Sequence, residues 1–150
     1  MNMIKAIAQI KKTLDLDSNY AEAHFALGMT YAKIKDHQKS VTELKKAVAL
    51  SNRRPVILSM LGVVYANQGK MEEAKKLLAE LELPPVNNDK LYAIATIKSN
   101  LGQSAEALNI FDKLVDEKYG IMIYMKVEKY FFPDNNNPRY QRMLEKMDLE

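Results

Sequence analysis

Cysteine and tryptophan are absent from the 150 residues, and histidine occurs only twice. Without Cys there is no disulfide framework, no zinc–thiolate site and no thiol nucleophile. His24 and His37 fall on different predicted elements with no neighbouring ligand, short of the convergent donors a metal requires. Long apolar runs are missing too. The densest, Leu61–Ala66 and Ile121–Met125, are far below the roughly 20 residues of a membrane helix. Residues 1–15 carry scattered lysines and no signal-peptide core. These absences imply a cytoplasmic protein with no membrane partner. Charge of one sign is also lacking: 22 basic minus 19 acidic residues leaves +3. That surplus is small for a charge-driven nucleic-acid protein, and no aromatics interleave with the basic residues, so no nucleic-acid partner is expected. Gly69-Lys70 lacks the upstream Gly and following Ser/Thr of a phosphate loop. Glu72-Glu73 and Asp116-Glu117 read as solvated helix charges, and no Ser has a nucleophile's context. Neither enzyme chemistry, a cofactor nor a metal site is expected.

What is present is ordinary globular composition, 47% hydrophobic and 27% charged, with a repeat in it. Leu27-Gly28, Tyr31 and Ala32 recur as Leu61-Gly62, Tyr65 and Ala66, an offset of 34 each time by subtraction. Ala6, Ser40 and Ala74 keep that step, and Ala107 follows 33 later. A fixed period of this size marks stacked supersecondary units. Each unit reads as two helices. In residues 21–34, Ala23, Leu27, Thr30, Tyr31 and Ile34 form one apolar stripe. Lys35-Asp36-His37 turns the chain, and Val41, Leu44, Ala47 and Val48 carry the second stripe. Pro55 opens the next helix, Gly69 closes it, and Pro84-Pro85 stops its partner. The third unit runs from Asn88, turns at Gly102-Gln103 and continues with Ser104 as N-cap. Gly28 and Gly62 are expected to let the two helices of a hairpin approach closely.

These residues resemble the tetratricopeptide repeat, a helix–turn–helix unit of 34 residues. His24, Leu27-Gly28, Tyr31, Ser40 and Ala47 match in the first unit. Leu58, Leu61-Gly62, Tyr65, Gly69 and Ala74 match in the second. Ile94-Ala95, Gly102, Ala107 and Phe111 match in the third, where Lys98 replaces the Tyr. The resemblance implies an all-α fold: a right-handed solenoid of antiparallel helix hairpins with a C-terminal capping helix. One domain, 1–150, would hold a half repeat (1–19), repeats at 21–54, 55–87 and 88–118, and a capping tail (119–150). The half repeat offers Ile4, Ile7 and Leu14 as an edge for a homo-oligomer. In the tail, Met125-Lys126-Val127, Asn137-Pro138-Arg139-Tyr140 and Met147-Asp148-Leu149 are similar to the closing segment of tetratricopeptide regions in bacterial signalling proteins. Tyr140, Met143, Leu144 and Met147 share one helix face, and Phe131 and Phe132 add apolar bulk before it.

The resemblance implies a protein-interaction scaffold that binds a peptide or helix, since the first helix of each repeat lines a concave groove. The residues on those helices not needed for the hairpin core are Phe25, Met29 and Lys33; Ser59, Val63 and Asn67; and Tyr92, Thr96 and Asn100. Spacing of four places each triplet along one stripe. The family's carboxylate-clamping groove uses a Lys/Asn/Arg set. Here only Lys33, Asn67 and Asn100 are available, and Phe25, Met29 and Thr96 point inward, which argues against a chaperone-tail receptor. The alternative is a self-assembly or docking module of a bacterial signalling protein. Residues 21–54 hold seven basic and three acidic residues, a surplus of four that suits an acidic partner.

Overall fold

A computed structural model describes residues 2–126 and 132–148. Val127, Phe131 and Leu149, used in reading the tail, lie outside the described residues. The described residues form helices and turns without strands. The helices are α1 (Met3–Leu16), α2 (Ala21–Lys33), α3 (His37–Leu50), α4 (Pro55–Asn67), α5 (Met71–Glu82), α6 (Asn88–Asn100), α7 (Ser104–Asp116) and α8 (Pro138–Asp148), with a 3-10 segment Gly120–Lys126 before α8. α2–α3, α4–α5 and α6–α7 are the three hairpins, and each packs on the next.

One motif ends five of these helices. After α4, the Gly69 amide donates to the Ala66 carbonyl and the Lys70 amide to the Tyr65 carbonyl, with Gly69 at φ +74°. Gly102 at φ +81° closes α6 the same way. This reciprocal pair satisfies carbonyls that a helix end otherwise leaves open, and it needs a left-handed residue. Lys35, Asn52 and Lys118 hold the equivalent positions after α2, α3 and α7, at φ +61°, +53° and +53°. Helix starts are less uniform. The Asp36 side chain accepts from the Lys39 amide at 3.2 Å, so α3 opens directly at His37. Ser104 is not the N-cap expected of it. Gln103 holds that position without a side-chain bond, and Ser104 is the first helical residue.

Packing is uneven along the stack. α4 is enclosed on every side, with each residue from Ile57 to Ala66 buried. α6 lies close against it. The cause is Gly62, where an added Cβ would sit 2.7 Å from Ile97 Cδ1. This corrects the expectation for Gly62: its missing side chain admits α6 of the next hairpin rather than α5 of its own. Gly28 does act within its hairpin, since its Cβ would meet Leu44 Cγ at 2.7 Å. α2 touches α4 only slightly, so the first two hairpins part where the second and third close. α1 packs chiefly on α2 and buries no residue fully.

The C-terminal segment closes over α7. Phe132 stacks on Tyr140 at 4.6 Å, and the Tyr140 hydroxyl donates to the Met125 carbonyl at 2.8 Å. Arg139 donates to Asp112 from Nε at 3.0 Å and from its terminal nitrogen at 2.5 Å, tying α8 to α7. Met122, Met125 and Met143 are buried in the core that α4, α6 and α7 share. A fully buried Met side chain contributes about 1.5–3 kcal/mol.

Candidate functional site

The nine stripe residues divide by burial. Ser59, Val63, Tyr92 and Thr96 are 0% exposed. Phe25, Met29 and Asn100 are half-buried, and only Lys33 and Asn67 are exposed. The four buried residues are therefore interior in this structure, a correction to their expected place on the groove surface. The physical reason is the close approach of α4 and α6, together with the packing of α7 and the turn after it against Tyr92. The buried hydroxyls keep hydrogen bonds inside their own helices: Ser59 donates to the Val56 carbonyl and Thr96 to the Tyr92 carbonyl, each at 2.8 Å. Such local bonds remove the cost of burying a hydroxyl. Tyr92 lies edge-on to Phe111 at 6.0 Å and is tilted against Tyr119 at 6.4 Å. It is a packing wedge between α6, α7 and the following turn. Tyr119 donates its hydroxyl to Asp89. Burial, then that bond, pushes the phenol well above the ordinary tyrosine range.

Where α2 and α4 part, a cleft of about 360 Å³ opens. Ala32 and Val64 form its apolar wall, and Lys33, Lys35, His37 and Asn67 line the rest. Lys33 and Asn67, one from each of two stripes, meet there. Lys35 and His37 were not among the sequence-derived site residues. Both belong to the turn between α2 and α3 by sequence, and the left-handed backbone of Lys35 with the Asp36 cap brings them to the cleft. His37 Nδ1 and, beyond Asn67, Gln68 Oε1 are buried without a hydrogen-bond partner among the described residues. The cleft thus combines cations, an amide with both donor and acceptor, and a small apolar wall.

His24 is built differently. It is buried, as a residue in an aromatic slot should be, but its ring is held by polar groups on both sides. Nδ1 lies 2.6 Å from Glu43 Oε2 on α3, and Nε2 lies 2.9 Å from the Ser18 carbonyl in the turn before α2. The ring therefore fastens the α1–α2 turn to the first hairpin. Among the described residues, no group of three or more His, Cys, Asp or Glu is placed to hold a metal ion. No helix among them is long and apolar enough to cross a membrane.

A stack of antiparallel hairpins, each turned by the same left-handed motif, defines a helical-repeat scaffold. Residues 21–53 and 56–81 each match the tetratricopeptide repeat, and the chain is a tetratricopeptide repeat protein. It is 28% identical over 113 residues to human Protein O-mannosyl-transferase TMTC1, covering 69% of this chain and 13% of that protein. It is 25% identical over 115 residues to the Type IV pilus assembly protein PilF of Pseudomonas aeruginosa, covering 75% and 46%. The chain thus spans less than half the length of these relatives. Two solved structures share the fold. YrrB, described as a tetratricopeptide protein with an unusual peptide-binding site, aligns with TM-score 0.52 at 22% identity over 97% of this chain and 76% of its own. MamA aligns with TM-score 0.54 at 24% identity, over 99% and 90%.

Proposed function

We propose that this chain is a non-catalytic, cytoplasmic interaction scaffold. It takes a peptide or short helix of a protein partner along α2, the first helix of the first hairpin, anchored in the Lys33–Asn67 cleft. The observation that carries this reading is the parting of α2 from α4, which leaves a polar cleft where the next pair of helices is closed. Asn67 suits a peptide backbone, and Lys33 and Lys35 suit an acidic side chain. Phe25 and Met29, half-buried on α2, extend the surface with apolar contacts. The peptide-binding site named for YrrB supports the class of ligand. Neither a nucleic acid nor a membrane is proposed as partner.

The test is paired capture from a lysate of the source organism, with the wild type and a Lys33→Glu, Asn67→Glu variant. Both positions are exposed, so circular dichroism should show the variant folded. A protein retained by the wild type and lost by the variant is the expected result. Equal retention would move binding off the cleft. A second reading is self-association, alone or as the docking module of a larger bacterial signalling protein. It is favoured by Ile4 and Leu16 of α1, which are 77% and 91% exposed. Light scattering at high concentration that shows only monomer would contradict it.

A further inference from the structure

Both ring nitrogens of the buried His24 are engaged by acceptors. Nδ1 lies 2.6 Å from Glu43 Oε2, and Nε2 lies 2.9 Å from the Ser18 carbonyl oxygen. A carbonyl oxygen only accepts, and so does an ionised carboxylate. A neutral imidazole carries one N–H, so it serves one of these partners and turns a bare lone pair to the other. Satisfying both takes one more proton. Glu43 gives its second oxygen to Lys46 at 3.2 Å, as an anion does, which leaves that proton on the ring. Burial opposes a lone imidazolium, but this one is paired with a carboxylate and hydrogen-bonded on both sides.

Lys11 of α1 and Lys46 of α3 are the other charged side chains lining the open cavity of about 600 Å³ onto which His24 and Glu43 face. In the turn before α2, the Asp17 side chain accepts from the Asn19 amide at 3.0 Å. On α2 itself, Glu22 pairs with Arg54 at 3.0 Å. Glu43 is thus the carboxylate that meets the ring. The bond to Ser18 bears on α1. The Asn19 and Tyr20 amides of that turn bond only locally, to the Asp17 side chain and, at 3.3 Å, to its carbonyl. α1 packs chiefly on α2 and buries no residue fully, so the ring reinforces a helix that packing holds weakly.

We propose that His24 is a proton-dependent latch on α1. The imidazolium bridges Glu43 and Ser18 and holds α1 on the first hairpin. Loss of one ring proton leaves the remaining N–H with the Glu43 anion, the stronger acceptor, and releases Ser18. The sign follows from counting protons. Above the ordinary imidazole value of about 6.5 a released ring is mostly neutral, whereas the latched ring holds two protons. The latched state binds the extra proton, so it weakens as pH rises. The latch shares no residue with the Lys33–Asn67 cleft, so the two stand or fall separately.

The first test uses the wild-type chain alone. Nitrogen NMR of isotope-labelled histidine at about pH 7.5, a unit above the ordinary imidazole value, should show both His24 ring nitrogens protonated, with His37→Gln to assign the two rings. A bare His24 nitrogen would overturn the proposal. The second test reads amide exchange in α1 at about pH 6 and about pH 9, as protection factors corrected for the intrinsic pH dependence of exchange. Protection in α1 should fall at least about tenfold at the higher pH, the factor that one unit of proton linkage carries. Equal protection at both would contradict the latch. Glu43→Gln supplies an amide that donates to Nδ1 of a neutral ring and leaves Nε2–H for Ser18. That variant, checked for folding by circular dichroism, should keep α1 protected at both pH values. A pH dependence as large as that of the wild type would remove the latch from this pair and overturn the proposal.

Discussion

Two glycines and one histidine set the close approaches. At Gly28 an added methyl would strike Leu44 at Cγ and stand 3.2 Å from its backbone nitrogen, so the helix itself must move. At Gly62 its three nearest neighbours all belong to the Ile97 side chain, the terminal Cδ1 first. Overpacking costs typically about 1–3 kcal/mol, offset in part by the better helix propensity of Ala. Gly28→Ala should therefore destabilise more than Gly62→Ala in urea unfolding, and Ile97→Val should recover part of the loss only for Gly62→Ala. Equal losses would contradict the assigned neighbours. His24→Phe keeps the aromatic bulk but leaves the Glu43 carboxylate and the Ser18 carbonyl without the ring. A loss of about 1–3 kcal/mol is expected; a neutral or stabilising result in urea unfolding would mean that packing alone holds that slot.

Among the elements, the helix ends were the most legible part of the sequence. Gly69 and Gly102 announced two left-handed turns. Lys35, Asn52 and Lys118 make the same turn without announcing it, because the motif is written in backbone bonds that Lys and Asn also form. Left-handed backbone costs a residue with a Cβ roughly 1–2 kcal/mol, part of which Gly returns through its greater freedom when unfolded. Lys35→Gly should thus raise stability by about 0.5–1 kcal/mol; a fall in the urea midpoint would contradict the motif. The stripe of nine residues was legible as a stripe but not as a surface. Periodicity tells which side of a helix its own hairpin leaves free. It does not tell how near the neighbouring elements come: α4 and α6 press together, and α7 with the turn after it covers Tyr92, which leaves Ser59, Val63, Tyr92 and Thr96 interior. Between hairpins, Arg53 donates to Glu80 through two nitrogens, each at 2.6 Å. That bond, against a smaller desolvation, holds the Glu80 carboxyl below its ordinary value. Its contribution is complete above the ordinary carboxylate range and is lost as pH falls through the lowered folded value. Both groups are more than a third exposed, so Glu80→Gln should cost under about 1 kcal/mol at neutral pH and less in high salt.

At the scale of the whole molecule, order is graded along the chain. α4 is wrapped by α3, α5 and α6, whereas α1 leans chiefly on α2. Amide exchange should accordingly be slowest in α4 and fastest in α1, and uniform exchange would contradict the gradient. The repeat period foretold the stack but not this gradient, because the same signature residues serve hairpins that are spread apart and hairpins that are pressed together. The functional reading rests on that difference, since the cleft exists only where α2 and α4 separate. The most direct measurement is the change in backbone amide shifts when the captured partner is added to the labelled chain. Ala32, Lys33, Lys35, Val64 and Asn67 should move together, while Tyr92 and Thr96, sealed in the interior, should not. Shifts confined to α6 and α7, with the cleft residues unchanged, would contradict the account.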